Sequence, residues 1–161
     1  MKTKPETLKA LAAHIADNCT PVDREAAFDA MLDDCYTFEK VGGPFAGMWP
    51  SRVLRECDPV AYRCGVNDYA DGEEWTEING ETYETEAAEI ARTEFVVDLE
   101  TEADELETEI EEESERAARL EESGEIADAA QLRATLESDK ASLAALRENI
   151  NAAVIVELYS L

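Results

Sequence analysis

Near the start of the chain, apolar residues recur every three or four positions, at Leu8, Leu11, Ala12, Ile15 and Ala16. That spacing puts them on one side of a helix, and Thr3 with Glu6 supplies a capping-box pattern, so a helix is predicted over 4–17. Thr20-Pro21 reads as an N-cap followed by proline at the first helical position, opening a second helix over about 21–37. Its inner face would carry Ala27, Phe28, Met31, Leu32 and Cys35. VGGPFAGMWP, 41–50, combines glycine, proline and apolar side chains; it is expected to loop over the core with Phe45 and Trp49 as anchors. Ser51 should open a short turn of helix. Asp58-Pro59 should open another, with Val60, Ala61, Cys64 and Tyr69 pointing inward.

The period then changes. WTEINGETY, 75–83, predicts a β-hairpin, because Asn79-Gly80 tolerates the two positive φ angles of a type I′ turn. An isolated hairpin of this length is marginal, so it must pack on the helices through Trp75, Ile78 and Tyr83. From about 85 onward the helical period returns. Phe95, Leu99, Ala103, Leu106, Ile110, Ala117 and Leu120 form one stripe, and Leu132, Leu136, Leu143, Leu146, Ile150 and Ala153 form another. Ser123-Gly124 separates them, glycine being the common residue just past a helix end. Two long helices joined by so short a turn must run antiparallel with a coiled-coil-like seam. The final AAVIVELYSL is too apolar to be left in water and should return to the globular part or meet a second copy. The fold class is therefore mainly α. It comprises a compact α-rich domain with one β-hairpin over 1–84, and an antiparallel helical hairpin with an apolar tail over 85–161.

Charge changes this picture. Against 14 lysines and arginines stand 39 aspartates and glutamates, a net charge of −25, although 45% of the residues are hydrophobic and a true core can form. Residues 68–128 alone hold 25 acids and three bases, whereas ten of the eleven aromatics lie at or before Phe95. So large a charge weakens the compact state by self-repulsion and disfavours direct contact with nucleic acid. Halophilic adaptation would give a similar composition, and would make folding depend on high salt.

Little else points to chemistry. The start of the chain lacks the apolar core of a signal peptide and no stretch is long enough to span a membrane, so a cytoplasmic location is expected. Cys19, Cys35, Cys57 and Cys64 contain no C-x-x-C pair and only His14 could assist them, so buried, reduced thiols are expected and no metal site or cofactor. No nucleophile elbow, phosphate loop or dinucleotide fingerprint occurs, and His14 has no recognisable triad partner, so an enzyme is not expected.

The main candidate site is the run Glu100, Glu102, Asp104, Glu105, Glu107, Glu109, Glu111, Glu112, Glu113 and Glu115. At ~1.5 Å per residue these carboxylates lie about 2.4 Å apart along the helix axis, against ~1.7 Å for the charges of duplex DNA. The run reads as nucleic-acid charge mimicry, as a plain solvated face, or, less readily, as a cation site, for which no calcium-loop pattern exists. A merely solvated helix would usually intersperse lysines for i,i+4 support, and this one does not. Asp71, Glu73, Glu74, Glu77, Glu81 and Glu84 form a secondary acidic patch. Leu136, Leu143 and Ile150 belong either to an internal core or to an oligomer seam, which would make the chain a homodimer.

Two segments resemble known proteins. GGPFAGMWPSRVLRECDPVAYRCGVNDYAD, 42–71, resembles segments of small uncharacterised acidic proteins of phages and mobile elements. The resemblance implies a genomic context rather than a chemistry. Arg52, Arg55 and Arg63 within it are expected to neutralise neighbouring acids. EIADAAQLRATLESDKASL, 125–143, is similar to UVR-type helical hairpins, where such a run implies a protein–protein contact. The expectation is a non-enzymatic phage or mobile-element inhibitor that acts in the host cytoplasm. It would imitate nucleic-acid charge to block a host defence protein, or another host protein with a basic nucleic-acid-binding groove. The alternative is a coiled-coil structural or adaptor protein working through homo-oligomerisation.

Overall fold

The computed structural model describes residues 4–36 and 47–156. Among them are six helices and one two-stranded antiparallel sheet, in the order α1 (Lys4–Asn18), α2 (Arg24–Cys35), α3 (Pro50–Cys57), α4 (Pro59–Gly72), β1 (Trp75–Ile78), β2 (Glu81–Glu84), α5 (Thr85–Ser123) and α6 (Ile126–Ile155). The mainly helical class with one hairpin is as expected.

α1 turns Leu11, Ala12 and Ile15 inward, where they meet Ile78 and Tyr83 from the hairpin, Ala88 and Ala91 from α5, and Ala153 from α6. This core crosses the junction between 84 and 85. The two segments divided there thus share a core, because α1 packs against both long helices. The hairpin pairs Trp75 with Glu84 and Ile78 with Glu81. Asn79 (φ 53°) and Gly80 (φ 85°) both take the positive φ that a type I′ turn requires. Residues alternate across the strands, so Ile78 and Tyr83 share the buried face while Glu77 and Glu84 point the other way, and Glu81, next to the turn, is exposed at the hairpin's end.

α2, α3 and α4 close a second, smaller core of Phe28, Tyr62 and Val66, lined by Met31, Leu32, Leu54 and Tyr69. Polar contacts set the helix ends. The Asp23 carboxylate accepts from the backbone N–H groups of Glu25 and Ala26, so α2 begins three residues later than Thr20-Pro21 predicted. α3 carries no cap of its own. Instead the Asp33 carboxylate reaches across from α2 and accepts from the Ser51 N–H at 2.9 Å and its hydroxyl at 2.8 Å. Asp58 caps α4 through the Ala61 N–H, as expected. Arg55 donates to Asp29 at 2.7 Å and to the Tyr62 hydroxyl, which donates in turn to Asp29. That network joins all three helices. The trio meets the rest of the molecule where Val22 N–H donates to Thr82 O, where Arg24 bonds the Thr82 hydroxyl, and where Tyr69 meets Trp75 edge-on.

Several placements differ from expectation. Trp49 is 65% exposed rather than an anchor; it stands at the N-cap of α3 with extended backbone, just before Pro50. Phe45, its supposed partner, lies outside the described residues. On α4 the inner face carries Tyr62 and Val66, one turn apart, so Val60, Ala61 and Cys64 face solvent. The cysteines are free, but only Cys19 is partly buried; Cys35, Cys57 and Cys64 are exposed, because each lies on the outer side of its helix. Val156 packs against the first core and its carbonyl accepts from Arg92, whereas Ile155 is 77% exposed. Residues 157–161 of the apolar tail lie outside the described residues.

The two long helices form the expected αα-hairpin. Gly124 (φ 86°) ends α5, with its N–H on Glu121 O and that of Glu125 on Leu120 O, the Schellman pattern. Ala103, Leu143 and Leu146 are buried along the seam, with Leu99, Leu106, Ile110 and Ile150 packed around them. Ala117, Ala129 and Leu136 continue it toward the turn. The supposed oligomer seam is therefore occupied within the chain: Leu136 and Leu143 are buried by α5, and Ile150 is half-buried against the same cluster.

Two outcomes follow from this packing. A Cβ at Gly65 would stand 2.6 Å from Phe28 Cζ, whereas one at Gly72 would meet nothing within 4 Å. Helix propensity favours alanine at either site by about 1 kcal/mol, but overpacking costs about 1–3 kcal/mol. Gly65→Ala should lower the urea midpoint, and Gly72→Ala should leave it unchanged or raise it. Burial, and then the nearby Glu94 carboxylate, push the Cys19 thiol above its ordinary value. Iodoacetamide near pH 8 should label Cys35, Cys57 and Cys64 first and Cys19 last, as read by peptide mass mapping.

Candidate functional site

All ten carboxylates of the acidic run lie on α5, from its middle toward the turn, and all but half-buried Glu113 are exposed. The helix turns 100° per residue, so the ten do not form a single face. Glu100 and Glu107 lie on one flank of the seam and Glu102 and Glu109 on the other, with half-buried Glu113 beside the seam itself. Asp104, Glu105, Glu111, Glu112 and Glu115 point away from α6. They wrap about 240° of the helix, everything α6 leaves uncovered. The single acidic face expected from sequence is thus a sleeve around α5.

The partner helix does not neutralise this sleeve. α5 contains sixteen acids and three arginines, while α6 contains four acids and three bases. Among the described residues, only Glu107 and Glu115 of the ten form ion pairs, with Arg147 at 2.7 Å and Arg119 at 3.4 Å. Both pairs are more than half exposed and worth little. Glu109, Glu112 and Glu113 flank Arg116 and Arg119 around a shallow depression near the turn. The secondary patch is also exposed: Asp71, Glu73, Glu74, Glu77, Glu81 and Glu84 surround the hairpin and the end of α4. Among the described residues, Glu77 alone of the six is in an ion pair, with Arg24 at 3.3 Å. Arg52 pairs with its neighbour Glu56 as expected, whereas Arg55 reaches across to Asp29 and Glu25 on α2, and among the described residues Arg63 forms no ion pair.

The docking of α1 builds a feature that the sequence did not signal. An open groove of about 460 Å³ runs between α1, α5 and α6. Phe95, Leu99, Leu106 and Leu146 form its floor, and the carboxylates of Glu6 and Glu102 stand at its rim. Thr7, Ser142 and Asn149 complete the lining, Thr7 and Asn149 being buried. The only available hint was that polar Thr7 and Asn149 fall on otherwise apolar stripes. His14 lies beside this region, with its ring 5.4 Å from that of Phe95. Its Nε2 is buried without a hydrogen-bond partner among the described residues. Among those residues no three His, Cys, Asp or Glu side chains converge well enough to hold a metal ion, and no helix is long and apolar enough to cross a membrane. Neither a family model, nor a curated protein, nor a solved structure matches the chain.

The sleeve costs the protein stability. Glu100/Asp104, Glu105/Glu109, Glu107/Glu111, Glu109/Glu113 and Glu111/Glu115 are like charges four residues apart on one helix, a spacing at which they repel. Replacing all ten by Gln or Asn should raise the melting temperature at low ionic strength by about 2–6 °C, and added salt should close the gap. A fall in melting temperature would show that the carboxylates support the helix.

Proposed function

We propose that the chain is a non-enzymatic binding protein that competes with nucleic acid for a basic groove on another protein. The observation that carries this reading is the sleeve: ten carboxylates, held about every 2.4 Å along a continuous helix and left largely without counter-charges. Charges on a rigid helix keep fixed positions, so a groove built for phosphates meets a field of similar density without ordering a flexible chain first. The near-neutral α6 supports the sleeve from behind and aims it outward. In keeping with the resemblance of 42–71, we place the protein among phage or mobile-element inhibitors acting in the host cytoplasm, with a defence protein as the target. The homo-oligomeric adaptor is the weaker reading, since Leu136 and Leu143 are already occupied within the hairpin.

The test is a pull-down from host lysate at low salt, followed by elution with duplex DNA. The expected result is a DNA- or RNA-binding protein that duplex DNA displaces. The variant with Gln or Asn at all ten positions should bind it at least about tenfold more weakly and with a shallower salt dependence. Unchanged capture by that variant would refute charge mimicry.

A further inference from the structure

We propose that the groove between α1 and the α5/α6 hairpin receives a large apolar side chain from a cationic segment of the partner protein, while lysine or arginine residues beside that side chain meet Glu6 and Glu102. This rests on the charge-mimicry reading and names its short-range contact. The floor of Phe95, Leu99, Leu106 and Leu146 offers apolar surface in a concave site, and its volume of about 460 Å³ accepts a large side chain. The rim carboxylates come from two different helices, and Glu102 also belongs to the sleeve, so the groove is continuous with the acidic surface.

Charge selects the occupant. A second copy of the chain would bring another −25 to an acidic rim. Nucleic acid and anionic membrane surfaces are repelled for the same reason. A neutral apolar segment would cover the floor but would strip water from Glu102 without replacing it. A segment that presents an apolar residue between cations satisfies both the floor and the rim. Basic nucleic-acid-binding surfaces carry such cations, and the sleeve would draw them in at long range. The groove then discriminates among them, because burial of a side chain depends on shape and is insensitive to salt.

The full-length protein would be titrated with two fluorescent synthetic peptides of equal length and charge. One is an amphipathic helix of lysine and leucine; in the other every leucine is replaced by serine. We expect the leucine peptide to bind at least about tenfold more tightly, the effect of burying one leucine, with an advantage that persists at high salt. The Leu99, Leu106 and Leu146 methyl resonances should shift with that peptide and not with the serine one. Ser142 lines the groove, so Ser142→Phe should fill it and remove the advantage without altering helicity. Equal affinities, still methyl resonances, or an advantage that survives Ser142→Phe in a folded variant would overturn the proposal. If both peptides bind equally and salt releases both, the groove is refuted while charge mimicry stands; if neither binds, both fail.

Discussion

Ala88, Ala91 and Ala153 carry nothing beyond Cβ, and the rest of the molecule depends on the close approach they permit. The first turns of α5 and the last turns of α6 come near enough to share one core with Leu11 and Ile15 of α1 and with Ile78 and Tyr83 of the hairpin. A two-stranded hairpin has no stability of its own, and a helix as acidic as α5 repels itself. Both are held because this packing buries their apolar sides together. Larger side chains at the three alanines would push α1 outward and open the groove that it walls.

The electrostatics follow from the same geometry. α6 covers only one stripe of α5, so every carboxylate off that stripe must face solvent. The charge is then distributed around a rod rather than along a face. A rod of charge can present itself to a concave, basic surface from several directions, as a nucleic-acid duplex does. The few cross-helix ion pairs, Arg147 to Glu107 and Arg133 to Glu121, lie in the open and do not offset the imbalance. Stability comes from the apolar seam and is spent, in part, on holding like charges together. Such a cost is understandable where the charge itself is the working surface.

The α2–α3–α4 unit follows a different logic. Its core is small, and polar links supplement it: Asp33 caps α3 from a neighbouring helix, and Arg55 joins Asp29 to Tyr62. Burial raises the Tyr62 hydroxyl above its ordinary pKa, Arg55 opposing that and Asp29 reinforcing it, so the tyrosine remains a donor to Asp29 at neutral pH.

The sequence by itself determined the long helices, their antiparallel run and their Gly124 turn, because a sustained 3.6-residue period over tens of residues leaves no other arrangement. It also determined the Asn79-Gly80 hairpin, which depends on two adjacent φ angles, and the location of the charge. These are local or one-dimensional properties. Tertiary structure alone decided which face of α4 turns inward, because its 14 residues carry apolar side chains on more than one side and define no single stripe, and Tyr62 and Val66 prevailed over Val60 and Cys64. It decided that Leu136 and Leu143 are spent within the chain and that the acidic run becomes a sleeve. It also created the groove, whose walls come from residues about a hundred positions apart in sequence. Periodicity says which side of a helix is apolar; only packing says what covers it and what is left open.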